Sequence, residues 1–170
     1  ERALSDPLFS EVKYILNTGG EPSLRHDLEE IILAEHKALP KAGIQLSTNG
    51  LLPDRVINVV KSAIKHGIKI DVGTSTDGIG EKHDKIRGVK GNFEKMDYLL
   101  HELVALRENH RDKLSIATQI TLLDPTLDSL DEVRAYAQRL DISLLEGWCN
   151  EASFYDNIGK NPVSSKLIEA

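Results

Sequence analysis

Residues 44–78 read IQLSTNGLLPDRVINVVKSAIKHGIKIDVGTSTDG, and their pattern decides the fold. An apolar run, Ile44 to Leu46, ends in the small polar tip Ser47-Thr48-Asn49-Gly50. A helical stripe of Val56, Ile57, Val60, Ala63 and Ile64 follows, and then a second β-branched run, Ile68 to Val72. Pro53 suits the first turn of that helix, where a missing N–H costs nothing, and Gly67 suits its stop. A strand, a helix and another strand in this order require a crossover connection, and a crossover makes the two strands parallel.

The same unit repeats on both sides. Val12 to Leu16, Leu114 to Leu122 and Ile142 to Leu145 supply three more apolar runs. Leu28, Ile31, Ile32 and Leu39 form a helical stripe, as do Met96, Leu99, Leu100 and Leu103. A last stripe, Leu130, Val133, Ala137 and Leu140, follows Ser129 and Glu132 at capping-box spacing. The pattern predicts five parallel strands and four connecting helices, an α/β array. Little polar alternation in the runs predicts strands covered on both faces. The longest interruption, Asp77 to Gly91, contains four glycines and reads as a loop between the third strand and the third helix.

With 170 residues the chain is one domain or a large piece of one. It carries 21 Lys plus Arg against 27 Asp plus Glu, a net charge of −6, which gives no global reason to bind nucleic acid or an anionic membrane. The lone cysteine, Cys149, excludes an intrachain disulfide and an all-cysteine metal site within these residues. It is expected to be a small buried apolar residue. His26, His36, His66, His101 and His110 show no metal-ligand spacing. No membrane-length apolar segment and no signal segment is visible, so a cytoplasmic setting is the default expectation.

In parallel α/β folds, ligands gather at the carboxyl ends of the strands. Three successive strand tips here are rich in small and polar residues: Asn17-Thr18-Gly19-Gly20-Glu21-Pro22, Ser47 to Gly50, and Gly73-Thr74-Ser75-Thr76-Asp77-Gly78. One such tip is an ordinary turn; three at matching ends predict a shared ligand site. His83 and Asp84 read as solvated loop residues. Lys82, Lys85, Arg87 and Lys90 form a basic patch diluted by Glu81 and Asp84. The tail Trp148 to Tyr155 reads as a wall of the core or of a substrate site.

GGEP at 19–22, STNG at 47–50, STDG at 75–78 and KHDKIRG at 82–88, followed by Gly91-Asn92-Phe93, together resemble the radical S-adenosylmethionine superfamily over residues 12–125. The resemblance implies a partial (β/α)6 TIM-like barrel, incomplete, of about five parallel strands with helices on the outer face. It implies S-adenosylmethionine as cofactor, with Gly19, Gly20, Glu21 and Pro22 holding the methionyl amino group. Thr48 and Asn49 would face cofactor or substrate, and Ser75 the ribose or carboxylate. Arg87 would grip a carboxylate, which a guanidinium can do bidentately.

The family also implies a [4Fe–4S] cluster on three cysteines after the first barrel strand, and an oxidoreductase-type radical reaction. A flavodoxin or ferredoxin would donate the electron, and the substrate would be a small molecule or a peptide. One cysteine cannot supply those ligands. The expectation is therefore a core-domain fragment, residues 1–170, whose first strand and cluster loop lie in a missing N-terminal segment. Residues 146–170 would be a C-terminal extension of the core. Such a fragment alone is expected to be inactive. An inactive adenosyl-cofactor or nucleotide module, and an unrelated enzyme using Gly19-Gly20 for phosphate, stand as the alternatives.

Overall fold

The computed structural model describes residues 3–148. The expectations for Cys149, for the tail beyond Trp148 and for most of the 146–170 extension lie outside those residues. In chain order the elements are β1 (Tyr14–Asn17), α1 (Leu28–Ala38), β2 (Gly43–Ser47), α2 (Pro53–Lys65) and β3 (Ile70–Ser75). There follow α3 (Glu81–Arg87), α4 (Asn92–Arg107), β4 (Leu114–Leu122), α5 (Asp124–Leu127), α6 (Leu130–Arg139) and β5 (Ser143–Trp148). The five strands form one parallel sheet in the order β1-β2-β3-β4-β5, as the crossover reading requires. Ile15 pairs with Ile44, and Ile44 in turn with Ile70.

Sequence accounts for the boundaries. Pro53 opens α2, and His66 closes it by donating its backbone N–H to Ser62 and Ala63, before Gly67 turns the chain at a φ of 78°. Two helices, α3 and α5, escape the sequence reading, and one expected cap is not made. The glycine-rich interruption contains α3, bounded by Gly80 and by Gly88 in the left-handed region. The expected Ser129–Glu132 capping box is not made: Ser129 is buried and caps nothing with its side chain. Thr126 does comparable work one turn earlier, where its Oγ1 accepts from the Leu123 N–H at 2.9 Å and donates to the Thr121 carbonyl at 2.6 Å.

The chain divides into two compact units, Glu1–Thr74 with Lys95–Ala117, and Ser75–Glu94 with Thr118–Ala170. In the first, Ile32, Ile44, Leu46, Val56, Val60, Val72, Leu99 and Leu103 are all but fully buried. In the second, Ile120, Leu122 and Val133 form the core, with Ile79, Leu127, Leu130 and Leu144 packed on it.

Coverage of both sheet faces is corrected by the structure. Burial alternates: Ile44, Leu46 and Thr48 are buried while Gly43, Gln45 and Ser47 are half-buried, and along β4 Leu114, Ile116, Thr118 and Ile120 are buried while Ser115 and Gln119 are exposed. The more open positions of each run, Gln45, Ser47, Ser115 and Gln119 among them, have one parity, and side chains of one parity share a face.

Gly50 and Gly67 separate backbone conformation from packing. Both have positive φ, but a Cβ on Gly50 would lie 3.0 Å from Met96 Cα, whereas one on Gly67 meets nothing within 4 Å. Gly67→Ala is expected to cost about 1 kcal/mol, the left-handed penalty alone. Gly50→Ala should cost about 1–3 kcal/mol more through overpacking. Urea denaturation of the two variants measures the difference.

Candidate functional site

Glu21, Thr48 and Asn49 belong to the first unit, and the structure brings them together. β1 ends at Asn17, and the chain turns through Gly19, whose φ is 120°, into a short 3-10 helix, Pro22–Leu24. Glu21 caps that helix. Its Oε1 accepts from the Ser23 N–H at 3.1 Å and the Ser23 hydroxyl at 2.5 Å. The same oxygen accepts from Thr48 Oγ1 at 2.7 Å, while Oε2 accepts from the Asn49 N–H at 2.6 Å. One carboxylate thus ties the tip of β1 to the tip of β2. Thr48 Oγ1 also accepts from the Gly50 N–H at 3.2 Å, and Asn49 Oδ1 from the Leu51 N–H at 3.0 Å, so the second tip is internally braced.

Pro22 and Ser23 of this short helix are buried. Arg55 of α2 secures the short helix from the other side, donating to the carbonyls of Ser23 at 3.1 Å and Leu24 at 3.4 Å. Gly19 and Gly20, by contrast, make no backbone hydrogen bond to another described residue. They are exposed, and a Cβ on either would meet nothing within 4 Å. Fixed flanks thus frame a short stretch of open, solvent-facing backbone.

Sequence reasoning missed a brace at this tip. Asn17 Nδ2 donates to Glu35 Oε2 at 2.9 Å, and Glu35, on α1, is only 8% exposed. Burial pushes its carboxyl above the usual range, and the Asn17 bond opposes that shift. Glu35 sits on the apolar face of α1 beside Leu28 and Ile32, and a charged residue out of place on a helical stripe was the available signal.

Ser75 and Arg87 belong to the second unit. Ser75 is the last residue of β3 and is half-buried, so the strand runs three residues past the Val72 end read from the sequence. Arg87 has an acidic partner of its own: its Nε lies 2.7 Å from Asp77 Oδ2, with the Asp77 side chain 7% exposed and that of Arg87 32%. Asp77 Oδ1 accepts from the Thr121 N–H at 3.3 Å, which fixes the start of the Asp77 to Gly91 segment against β4. Lys82 pairs with Glu132 at 2.9 Å, so two members of the basic patch are neutralised locally.

His83 corrects a second expectation, since it is 1% exposed and not a solvated loop residue. Its Nδ1 accepts the Asp77 N–H at 3.2 Å, so Nε2 carries the proton and points to Asn92 Oδ1 at 3.2 Å. The ring meets Phe93 edge-on at 5.9 Å. Burial pushes the imidazole pKa below its ordinary value, in keeping with this neutral tautomer. Asp84 is spent as well: it accepts from the N–H groups of Gly91 and Phe93 at 2.5 and 2.8 Å, bonds that hold its carboxyl below the usual range. Among the described residues no group of His, Cys, Asp and Glu is arranged to hold a metal ion.

With this geometry in place, comparison with known proteins gives a family, two curated relatives and a shared fold. Residues 6–137 match the family model of the radical SAM superfamily. Fe-coproporphyrin III synthase of Methanosarcina barkeri is 43% identical over 94 residues, which are 55% of this chain and 22% of that protein. Pre-heme d1 synthase of Dinoroseobacter shibae is 29% identical over 125 residues, 72% of this chain and 28% of that protein. The chain thus spans about a quarter of the length of these relatives. The crystal structure of Streptococcus suis SuiB shares the fold with a TM-score of 0.59 at 16% identity, over 84% of this chain and 30% of that one. SuiB bound to S-adenosylmethionine gives 0.58 at 15% identity, over 81% and 29%.

Two outcomes follow from the bonds within the units. Glu21→Ala should lower stability by about 2 kcal/mol, the scale of hydrogen bonds to a charged group. Combined with Thr48→Val it should lose less than the sum of the two, because both remove the same bond; a urea double-mutant cycle reads that coupling. For His83, the unfolded imidazole takes up a proton below a pH of about 6.5 while the folded one resists, so stability falls as pH drops through that point. His83→Gln should flatten this fall relative to the unmodified chain, as measured by denaturation between pH 7.5 and 5.

Proposed function

The chain belongs to the radical SAM superfamily, and on that premise we propose that it binds S-adenosylmethionine at the carboxyl ends of its strands as the core of a radical enzyme. The observation that carries this reading is the open Gly19-Gly20 backbone held between the Glu21 clamp and β1. A peptide with free carbonyls and no Cβ can close on an ammonium group, and its flanks cannot retreat. Glu21 has spent most of its acceptor capacity on Ser23, Thr48 and Asn49. One lone pair of Oε2 remains for the methionyl amino group, so in this reading Glu21 contributes mainly by fixing the backbone that binds. Pro22, Thr48 and Asn49 complete that support, and Ser75 supplies a hydroxyl to the ribose or carboxylate. Arg87, engaged by Asp77, is assigned to the cofactor carboxylate through its guanidinium edge left beyond Nε.

The residues present do not fit the family's iron–sulfur cluster, because three thiolates are needed and the chain has one cysteine. No step through a cluster is derived from these residues. In the proposal its ligands, and the docking of a flavodoxin or ferredoxin, come from residues other than these 170; held there, a reduced cluster would supply the one electron that splits the cofactor into methionine and a 5′-deoxyadenosyl radical able to take hydrogen from substrate. These residues orient the cofactor and keep water from it. Both curated relatives are named for haem-type products, which makes a porphyrin-type macrocycle the first substrate class to test.

Equilibrium dialysis with S-adenosylmethionine tests the binding claim. Glu21→Ala should weaken affinity by about 1.5–3 kcal/mol, roughly ten- to 150-fold. Thr48→Val, which removes the clamp bond and the Gly50 brace, should weaken it in the same direction. Unchanged affinity in both variants, or equal affinity for inorganic phosphate, would sink the reading.

A further inference from the structure

At the opposite end of the strands the first unit has a second concave site. A cavity of about 570 Å³ is lined by Lys13, Lys41, Lys69 and Lys113, with Tyr14 and Asp71 among the remaining walls. The lysines come from one repeated position. Lys13, Lys69 and Lys113 each stand one residue before β1, β3 and β4, and Lys41 stands two before β2. In a parallel sheet that runs in chain order, the strand starts lie side by side about 4.8 Å apart. One lysine at each start therefore makes a row of four ammonium groups about 14 Å long.

Such a row is unfavourable by itself. The chain as a whole carries a net charge of −6, yet four cations gather here against the two carboxylates of Asp71 and Asp112. Among the described residues Lys41, Lys69 and Lys113 have no ion pair, and Lys13 has a loose one, 3.8 Å from the exposed Glu11. Asp71 lies on the sheet face of Gln45, its register partner, and pairs with no lysine. Three of the four ammonium groups thus stand without an ion pair among the described residues, around a volume in the range of small-molecule sites.

The cavity is also shaped by packing. The Tyr14 ring lies across Gly43, where a Cβ would come within 2.7 Å of the ring edge. Only glycine lets the ring rest there, and the ring is 67% exposed, with its hydroxyl available as a donor. Lysine suits an anion presented in varied orientations, because its ammonium is a point charge on a flexible stem.

We propose that this cavity at the amino ends of β1–β4 binds a small polyanion bearing phosphate or carboxylate groups, separately from the S-adenosylmethionine site. Two or more charged groups spaced along the ligand would engage neighbouring strand starts, with the Tyr14 hydroxyl donating to one of them. Asp71 and Asp112 would set a preference for ligands that offer charge to the row and a neutral or cationic group beside it.

Calorimetric titration of the protein with tripolyphosphate, and separately with citrate, at fixed ionic strength tests the proposal. The exposed pair Lys41→Gln and Lys69→Gln removes half the row without touching the core, and Lys65→Gln on α2 matches the sign of the charge change elsewhere. The expected result is saturable binding that weakens at least tenfold in the double variant, weakens with added chloride, and is unaffected by Lys65→Gln. Binding of tripolyphosphate alone assigns a phosphate ligand, and of citrate alone a carboxylate ligand; either supports the site. No binding of either anion, or equal binding by the double variant and the unmodified protein, overturns it. Circular dichroism of each variant confirms that the comparison is between folded chains.

Discussion

A single carboxylate holds the first two strand tips in place. Glu21 receives two donors from its own short helix and two from the tip of β2, 27 and 28 residues onward. The ladder between β1 and β2 stops at Asn17 and Leu46, and β2 alone runs on beside β3 until the Thr48 N–H donates to the Gly73 carbonyl at 2.9 Å, so past Asn17 no ladder fixes the tip of β1. Whatever lies past the last ladder bond has to be held by side chains. Glu21 does this across the gap, Arg55 does it from α2, and Asn17 with Glu35 does it from below. Gly19 and Gly20 are left without such a hold.

The second unit solves the same problem with other chemistry. Past Ser75 the chain is retained by Asp77, which receives the Thr121 N–H and faces Arg87. It is then retained by His83, which receives the Asp77 N–H and reaches Asn92, and by Asp84, which receives Gly91 and Phe93. Phe93 continues the contact to Tyr136 at a ring distance of 5.7 Å. Each bond spans a few residues or a single strand gap, and together they convert a glycine-rich interruption into a helix with defined ends. Glycines at 80, 88 and 91 mark where the backbone turns through positive φ.

The architecture was legible because it rests on periodicity. Val56, Val60 and Ala63 could face a core only as a helix, and Ile44 and Ile70 could flank it only as parallel strands. The Glu21, Thr48 and Asn49 assembly was legible only as a coincidence of polar tips; the direction of the bonds was not. A glutamate beside an open backbone reads as a ligand group, and nothing in its sequence position shows that four donors of the protein already occupy it. His83 was misjudged for a related reason. Charged neighbours at 81, 82, 84 and 85 suggest solvent, but on a seven-residue helix every third or fourth position turns inward, and position 83 is the one that does. The one-sided burial of the sheet was present in the sequence as parity, in Gln45, Asp71, Ser115 and Gln119, and was masked by the overall apolar content of each run.

Because the sheet runs in chain order, each of β2 to β5 finds a partner in the strand made just before it. The loops to be closed are those of single crossover units, and loop-closure entropy rises only slowly with such lengths. A chain emerging from the ribosome can therefore add strand to strand in sequence, each new helix sealing the face of the strand it follows. No early strand waits for a late one to complete its pairing on the growing side. The cost is borne by the leading edge: at every stage the newest strand exposes its backbone until the next arrives. Slow synthesis through the long stretch between β3 and β4 would prolong one such exposure, and in this chain that stretch is where α3 and its polar staples form.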